Sequence, residues 1–451
     1  MKDGRILRLG AGSAHEGDDL DAARMIAESG AVEYIVFDCT SEKAFSMAYM
    51  RKQNGLPCYD IQLEPKLRAV LPGCAKNGVT MIANAGALDP EGAAHLTVEV
   101  ARDLGLKGLR IAYVAGADVS DVVRLRNPIV RETGRPVSDL GNEFLGALAY
   151  GGGDQIVEAL KAGADIVLTS RAGDSEQFLA PMAHEFDWAP DDWDKIGSGL
   201  GIGHLMECAA QVSGGFLADP GRKEVSGLHQ LGFPIAEVEP DGAAVLTKLP
   251  GTGGVISEQS VKEQLLYEIG DPANYVHAPG VVDFTTTTVK QVGPDRVRVE
   301  GTTGHPKTPT ARVALAVREG WVGMGRITYG GTGCYRRAKL AAETAERQLV
   351  ERFGAKREDL RFDYIGYNAL FDWGVDPDKL MEIELRVTGR FLTRDEARKV
   401  QMLVSQLPVS GPSGGAWGRP LDQGGVEEIV TFYSALLATD DIHYEVHTLV
   451  S

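Results

Sequence analysis

Short apolar runs alternate with amphipathic stretches through roughly the first 200 residues of the chain. Runs such as Tyr34 to Asp38 (YIVFD) and Ala164 to Thr169 (ADIVLT) have the composition of strands that are covered on both faces, as in a parallel sheet. Between these runs, Asp89 is a predicted helix N-cap, and Pro90 follows it at the first helical position. Asp154 similarly begins a predicted helix with the sequence QIVEALKAG. The alternation predicts an α/β fold with a largely parallel N-terminal sheet and flanking helices.

The character of the sequence changes near residue 216. Stretches such as VDFTTTTVKQV and DRVRVEG indicate mixed or antiparallel strands, and a long charged helix is predicted from about Tyr335 to Phe353. The remainder indicates two strands, a helix that Thr393 and Glu396 begin as a capping box, and a terminal strand. At 451 residues the chain is too long for one ordinary core. We therefore predict an α/β domain over 1–215, a mixed β-rich region over 216–353 and an α+β region over 354–451.

Charge and hydropathy restrict the classes of function. The formal net charge of −17 at pH 7 opposes binding to nucleic acid or to an anionic membrane, because both require a basic surface. No apolar run approaches the roughly 18 to 20 residues of a membrane span, and the N-terminus leads into no signal-like apolar core. We expect a cytoplasmic protein that binds a small anionic molecule through locally placed backbone N–H groups and arginines.

The cysteines form no CxxC pair, so neither a disulfide framework nor a zinc ribbon is indicated. Buried free thiols are the main expectation for Cys39, Cys58, Cys74, Cys208 and Cys334. The first three could hold an iron–sulfur cluster, although their spacing matches no standard pattern. No metal site is predicted, and the sequence itself requires no cofactor.

The segment Gly10 to Asp19 (GAGSAHEGDD) follows the first predicted strand, RILRL. Gly12 and Ser13 are small enough to let a ligand approach the backbone, and His15 and Glu16 are candidate acids or bases. The spacing departs from G-x-G-x-x-G, so a dinucleotide site is weakly supported. The alternative is an ordinary strand-to-helix turn with acidic capping residues.

Two further loops follow predicted strands. Asn84 and Gly86 lie in the first, and Arg171 and Asp174 in the second. Because parallel strands bring their carboxyl ends to one edge of the sheet, we expect these loops to meet there. Arg171 could bind a carboxylate in bidentate fashion. Asp174 could orient the Arg171 guanidinium or act as an acid or base. A surface Arg–Asp pair is the alternative.

Two glycine-rich loops, PGTGG and YGGTGC, precede predicted helices. Such loops can direct several N–H groups at an anion. Neither ends in the Gly-Lys-Ser/Thr of a Walker A motif, so ATP hydrolysis is not supported. With flexible turns as the alternative, substrate binding is predicted for Gly251, Thr252, Gly253, Gly254, Gly331 and Thr332.

His204 and Glu207 are three residues apart on a predicted helix and therefore share one face. This spacing suits a His–carboxylate hydrogen bond or two metal ligands, but no third ligand is evident. The candidate acids and bases are therefore His15, Glu16, Asp174, His204 and Glu207, and the sequence does not choose among them. H-E-x-x-H and G-x-S-x-G are absent, which disfavours a metalloprotease or a serine hydrolase.

Several segments occur in a characteristic order: RLGAGSAHEGDDLDAA, ANAGALDP, GADIVLTSRAGD, IGHLMECAAQVSGGFLADPG and GFPIAEVEPDGAAVLTKLPGTGG. With these segments in this order, the chain resembles the acyclic terpene utilisation protein A family. The resemblance extends from Arg5 to about Phe353 and is less clear beyond. The family is named from bacterial pathways that degrade branched acyclic terpenoids. Longer members carry a C-terminal ferredoxin-like domain. The resemblance therefore implies a small, separately encoded subunit for this chain, in a heteromer with homo-oligomerisation.

The resemblance further implies a branched or unsaturated carboxylate, or its coenzyme A thioester, as the substrate. A hydro-lyase, meaning a hydratase or dehydratase, is the leading expectation, and a mesaconate-like dicarboxylate would suit the anion-binding groups. Arg171, Asn84 and the Gly251–Gly254 loop would then hold the carboxylate or phosphate oxygens. One alternative is an acyl-transfer or thioester enzyme with Cys39 or Cys208 as nucleophile. Another is a non-catalytic scaffold subunit.

Overall fold

The computed structural model describes residues 4–416 and 425–451. These residues form two compact units, one from the described residues up to Ala316 together with Phe432–Ser451, the other from the described part of Val317–Thr431. In the described part of the chain, no helix has both the length and the apolar character needed to cross a bilayer. The division at residues 215 and 353 stays a prediction.

A ten-stranded sheet organises the first unit, and its central strands are parallel. The strands at both sides are antiparallel to their neighbours. The α/β fold with a largely parallel N-terminal sheet is thereby confirmed. The spatial order is β11 (Thr288–Gly293), β12 (Arg296–Glu300), β8 (Ala244–Lys248), β7 (Pro234–Val238), β1 (Leu7–Ser13), β2 (Tyr34–Phe37), β3 (Thr80–Ala83), β6 (Ile166–Leu168), β4 (Arg110–Ala115) and β19 (Glu445–Val450).

Helices connect the parallel strands and bury their apolar faces against the sheet. Asp89 begins one of them as predicted, since its side chain accepts a hydrogen bond from the N–H of Gly92. The helices are α1 (Leu20–Ser29), α2 (Glu42–Gln53), α3 (Leu63–Asn77), α4 (Pro90–Asp103), α5 (Ser120–Arg126), α6 (Gly153–Lys161), α7 (Glu176–Glu185), α8 (Trp193–Met206) and α9 (Glu258–Leu266). A small antiparallel sheet consists of β13 (Thr303–His305), β10 (Val281–Asp283) and β9 (Tyr275–Val276).

Two elements differ in their bounds from the sequence prediction. The strand predicted to end at Leu9 continues to Ser13, so the first glycines of the following segment lie inside β1. Helix α6 begins at Gly153, and its N-cap is Gly152 rather than Asp154. Gly152 adopts a φ of 101°, a backbone conformation that an aspartate would adopt only with strain.

The second unit has its own hydrophobic core, built on antiparallel strands. The helix predicted from about Tyr335 is confirmed as α10 (Cys334–Phe353), and Thr393 begins α11 (Arg394–Ser410) with both hydrogen bonds of a capping box. The remaining strands pair directly or through one another with the long strand β14 (Thr310–Gly330), whose residues belong partly to each unit. They are β5 (Phe144–Ala149), β15 (Leu360–Ile365), β16 (Glu382–Phe391), β17 (Gly415–Ala416) and β18 (Val426–Ala438).

Candidate functional site

The loops that follow β2 and β3 meet at the carboxyl edge of the parallel sheet. The Asn84 side chain, which is fully buried, donates from Nδ2 to Oδ1 of Asp38 at 2.6 Å. Its amide oxygen accepts hydrogen bonds from the backbone N–H groups of Cys39 and Thr40, the latter at 3.1 Å. Asn84 therefore fixes the position of Asp38. Burial, reinforced by the charge of Asp174, raises the pKa of Asp38 well above its usual value.

Arg171 lies beside this pair, in the loop after β6. Its side chain is 6% exposed, and its guanidinium pairs with both carboxylate oxygens of Asp174, the second at 3.3 Å. One face of the guanidinium stacks on the ring of Tyr150, with 4.6 Å between its central carbon and the ring centroid. The Oε1 atom of Glu42 lies 3.8 Å from Nη2 of Arg171. The charge of Arg171 is thus balanced within the protein.

His204 and Glu207 lie close together at the end of α8, as predicted. The His204 Nδ1 and Glu207 Oε1 atoms are 3.2 Å apart, and His204 Nε2 lies 3.0 Å from the carbonyl oxygen of Gln264. Because that carbonyl can only accept, Nε2 carries a proton, and the contact between Nδ1 and Oε1 holds a second one. Ser175 donates to the other oxygen of Glu207 at 3.1 Å. Burial raises the pKa of Glu207.

A cavity of about 210 Å³ opens onto these groups. The side chains that give it its chemistry are Glu42, Tyr150, Arg171, Asp174, Glu176, Glu207, Glu268, Tyr275, His277 and Arg312.

Burial shifts the pKa values of Glu176 and His277 in the directions that favour their uncharged forms. Burial and the nearby charge of Asp154 raise the pKa of Glu176 from its usual 4.5 to about 7. Burial and the neighbouring His204 lower the pKa of His277 to about 4. Within the described residues, Oε2 of Glu176 and Nε2 of His277 have no hydrogen-bond partner. Near neutral pH the cavity therefore offers a carboxyl group that can gain or lose a proton, and a neutral imidazole.

Arg312, from β14, supplies a second guanidinium to the cavity. It lies 5.1 Å from the ring centroid of Tyr150 and 5.3 Å from that of Phe432. Over residues 4–416 and 425–451 its side chain makes no hydrogen bond or close ion pair, and the nearby carboxylate on which its charge acts is that of Glu132. Arg312 is accordingly better placed than Arg171 to receive a carboxylate. Carboxyl groups still outnumber guanidinium groups in this cavity, so binding an anion there is helped by protonation of Glu176 or Glu207.

Part of this arrangement was predicted from the sequence. Of the predicted site residues, the structure brings together Asn84, Arg171, Asp174, His204 and Glu207 at the carboxyl edge of the sheet. Tyr150, Glu176, His277 and Arg312 were missed. Tyr150 begins the glycine run YGGGD after the apolar segment FLGALA, and Glu176 lies two residues after Asp174 in the predicted loop. His277 and Arg312 lie next to no such signal.

Gly12, Ser13 and Gly86 lie near the same edge in packed positions. A Cβ atom at Gly12 would come within 2.6 Å of the Phe37 ring, and one at Gly86 within 2.7 Å of the Thr169 carbonyl oxygen. The Ser13 hydroxyl donates to the Asp38 carbonyl at 2.7 Å. These small residues allow close packing of the loops that carry Asp38 and Asn84.

His15 and Glu16 do not line the 210 Å³ cavity. His15 is exposed, and its Nδ1 accepts a hydrogen bond from the N–H of Gly17 at 3.1 Å. Glu16 lines a separate cavity of about 40 Å³ together with Cys39 and Asp60. Their predicted acid–base role stays a prediction.

The loop containing Gly251 to Gly254 follows β8, which four strands separate from β6. The Gly253 N–H donates to the Gln230 carbonyl at 2.8 Å, and the Gly254 N–H donates to the Ser226 carbonyl at 2.8 Å. The Thr252 hydroxyl donates to the Leu249 carbonyl at 2.7 Å. These donors are used inside the protein, so they are unavailable to an anion in this conformation.

Gly331 and Thr332 lie in the second unit, immediately before α10. The Arg337 guanidinium donates to the carbonyl oxygens of Gly330, Gly331 and Thr332 at 2.6, 3.4 and 3.3 Å. The Gly331 N–H donates to the Met381 carbonyl at 2.6 Å. This turn therefore presents carbonyl groups to an arginine of its own helix.

The thiols and the potential metal ligands complete the chemistry of the described chain. Burial raises the pKa of Cys39 to about 12 and also raises the pKa of Cys208, which disfavours the thiolate that a nucleophile needs. Among residues 4–416 and 425–451, no cluster of three or more His, Cys, Asp or Glu side chains is arranged to hold a metal ion.

No curated protein matches the chain. A family model does: the one described as acyclic terpene utilisation family protein AtuA matches residues 7–448.

Proposed function

Because the chain belongs to the acyclic terpene utilisation family over nearly its whole length, we propose that it is a hydro-lyase acting on a small branched or unsaturated carboxylate, or on its coenzyme A thioester. The family name specifies no reaction. The observation that carries the proposal is that Glu176, with a pKa of about 7, shares a cavity with the guanidinium of Arg312. Adding or removing water next to a carboxylate requires a protonatable group and a charge that stabilises the enolate-like state.

In the dehydration direction, Arg312 holds the substrate carboxylate or the thioester carbonyl. Glu207, as a carboxylate beside His204, accepts the proton from the α-carbon, and negative charge develops on the oxygens held by Arg312. The bond between the β-carbon and its hydroxyl then breaks as Glu176 donates its proton, so that water leaves and a carbon–carbon double bond forms. Hydration is the same sequence in reverse. Asp38, Asn84 and the Arg171–Asp174 pair orient the loops around this centre.

The test is proton NMR of mesaconate and a panel of branched unsaturated acids and coenzyme A thioesters, incubated with the protein in heavy water. We expect deuterium at the α-carbon and loss of the vinyl signal. Glu176→Gln and Arg312→Met should each slow this reaction by about 10²-fold or more, mainly in kcat for the first and in both kcat and KM for the second.

Matched controls come from exposed residues of the same types. Glu99→Gln and Arg222→Met remove equivalent charges at the surface and should leave the rate unchanged. If the wild-type protein incorporates no deuterium with any member of the panel, the hydro-lyase proposal fails. If deuterium is incorporated equally by Glu176→Gln and Arg312→Met, the roles given to these two residues are wrong.

A further inference from the structure

A second cavity of about 200 Å³ lies next to the first, and its lining lies within the first unit. Tyr150, Glu176, Ala278 and Ala311 contribute to both cavities. A ligand bound at Arg312 would therefore need only a short extension past Tyr150 and Glu176 to reach the second cavity.

The glycine run after Tyr150 forms one wall of the second cavity and leads into α6. Gly152 is the N-cap of this nine-residue helix, and no side-chain hydrogen bond caps it within the described residues. The first N–H groups of a helix have no intrahelical acceptor and carry a partial positive charge. This wall consequently favours a negatively charged group.

Two buried polar atoms point at the same wall and have no partner in the described chain. They are Oε2 of Glu176, a residue 2% exposed, and the hydroxyl oxygen of Tyr444. A Cβ atom at Gly151 would come within 2.8 Å of the Tyr444 hydroxyl, and one at Gly153 within 3.1 Å of Glu176 Oε2. The glycines thus let both polar atoms lie against the loop. Unpartnered buried polar groups cost free energy, which a ligand bound there would recover.

Charged side chains around the second cavity act in opposite directions. Lys307 is exposed, lines this cavity and makes no ion pair in the described part of the chain. Asp154, in the first turn of α6, contributes a negative charge to the same cavity. An anion there is attracted by Lys307 and by the helix N-terminus and is opposed by Asp154.

We propose that this second cavity, the α6 subsite, binds a second carboxylate of the substrate, received by the first N–H groups of α6, the Tyr444 hydroxyl and the Lys307 ammonium group. The substrate is then a short dicarboxylate with its reacting end at Arg312. Because the two cavities share walls, the two anionic groups that they bind must lie close together in the ligand. This favours a short dicarboxylate over a coenzyme A thioester, in which a long pantetheine arm separates the phosphates from the thioester. The assignment of the reacting end of the substrate rests on the proposed function, whereas the binding of a second carboxylate does not.

Calorimetric titration tests the subsite without turnover, by comparing mesaconate with crotonate, a monocarboxylate of similar length. We expect mesaconate to bind at least about tenfold more tightly. Tyr444→Phe and Lys307→Met should each remove most of this preference while crotonate affinity stays the same. Asp154→Asn should strengthen mesaconate binding. Lys290→Met and Tyr367→Phe are the matched controls and should change neither affinity.

Equal affinities for the two acids, or a preference that Tyr444→Phe and Lys307→Met leave intact, would overturn the subsite. Tighter binding of crotonyl-coenzyme A than of crotonate, lost in Lys307→Met, would overturn the dicarboxylate assignment in favour of a phosphate. Tyr444→Phe should not unfold the protein, because it removes an unpaired hydroxyl, and its thermal unfolding midpoint checks this. A mesaconate preference without deuterium incorporation would uphold the subsite and reject the hydro-lyase.

Discussion

Glu176 is the carboxyl group on which the proposed acid catalysis depends. It is the first residue of α7, and its carboxyl group lies between Gly153 and Gly173. A Cβ atom at Gly153 would lie 3.1 Å from Oε2 of Glu176, and one at Gly173 would crowd Oε1. Burial is the main cause of its raised pKa, and the charge of Asp154 adds to it. A carboxyl group in such a position is protonated at a pH where a surface glutamate is fully ionised.

This raised pKa predicts how stability depends on pH. Because folded Glu176 holds its proton up to about pH 7 and the unfolded chain releases it near 4.5, the contribution is fully present below about 4.5 and is lost as pH rises through about 7. Glu176→Gln should therefore lose less stability than the wild type between these pH values. Thermal unfolding midpoints across this range measure the difference. Glu99→Gln should follow the wild type, and a Glu176→Gln curve parallel to the wild type would contradict the prediction.

Lys66 and Asp60 form a buried ion pair near the loop that carries Glu16. Their side chains are 0% and 1% exposed, and Lys66 Nζ lies 2.6 Å from Asp60 Oδ2 and 2.9 Å from the Glu16 carbonyl oxygen. The pair explains how a lysine can be buried in this core. It also ties α3 to the loop after β1.

Removing one partner of this pair should be costly. Lys66→Met leaves the Asp60 carboxylate buried without a counter-charge and should lower the free energy of unfolding by about 3 to 5 kcal/mol. Denaturant titration measures it, and the double variant Lys66→Met with Asp60→Leu should recover much of the loss. The exposed Arg24–Glu28 pair is the control, since Arg24→Met should cost less than about 1 kcal/mol. A Lys66→Met cost as small as that of Arg24→Met would contradict the expectation.

Helices α1 and α3 approach each other through Gly73. A Cβ atom there would lie 2.8 Å from the backbone carbon of Ala27 and 2.9 Å from the backbone nitrogen of Glu28. These are main-chain atoms and cannot rotate away as a side chain can. The glycine is thus retained inside α3 for the helix contact, against its low helix propensity.

Gly73→Ala should destabilise the protein although alanine favours a helix by about 1 kcal/mol. The backbone clash should cost about 1 to 3 kcal/mol and exceed that gain. Gly270→Ala is the matched control, since no atom lies within 4 Å of its Cβ position and the change should be close to neutral. Denaturant unfolding compares the two, and a Gly73→Ala variant as stable as the wild type would show that the helices can separate at little cost.

The whole molecule carries a net charge of −17 at pH 7, spread over a chain that contains 63 acidic and 46 basic residues. Like charges at this density repel one another in the compact state more than in the expanded one. Local features such as Arg312 and Lys307 must therefore attract an anion against the field of the rest of the protein.

Added salt should accordingly stabilise the protein at neutral pH. Raising sodium chloride from about 20 mM to about 150 mM shortens the Debye length to about 8 Å and screens the repulsion. We expect the thermal unfolding midpoint to rise with added salt. The rise should be larger at pH 8 than at pH 6, because the protein carries less net negative charge at pH 6. Potassium chloride at equal ionic strength controls for specific sodium binding. A midpoint that falls with salt would mean that attractive ion pairs outweigh the net repulsion.

The local sequence determined the elements and the edge of the sheet where chemistry was expected. Apolar runs such as Tyr34 to Asp38 predicted buried parallel strands, because a strand covered on both faces must be apolar throughout. The caps at Asp89 and Thr393 were readable because capping is a contact between residues three apart. The family resemblance, now confirmed over residues 7–448, also came from collinear segments of sequence.

Only the tertiary structure decided which side chains share the cavity. Strand order places the loops after β2, β3 and β6 together, and it puts four strands between β6 and β8, the strand that the Gly251–Gly254 loop follows. The cavity also draws Arg312 from β14, a strand whose local sequence carries no motif. Burial and neighbouring charge, which set the pKa of Glu176, likewise arise from contacts between distant segments. Periodicity and capping are encoded over a few residues, whereas a binding cavity depends on long-range packing.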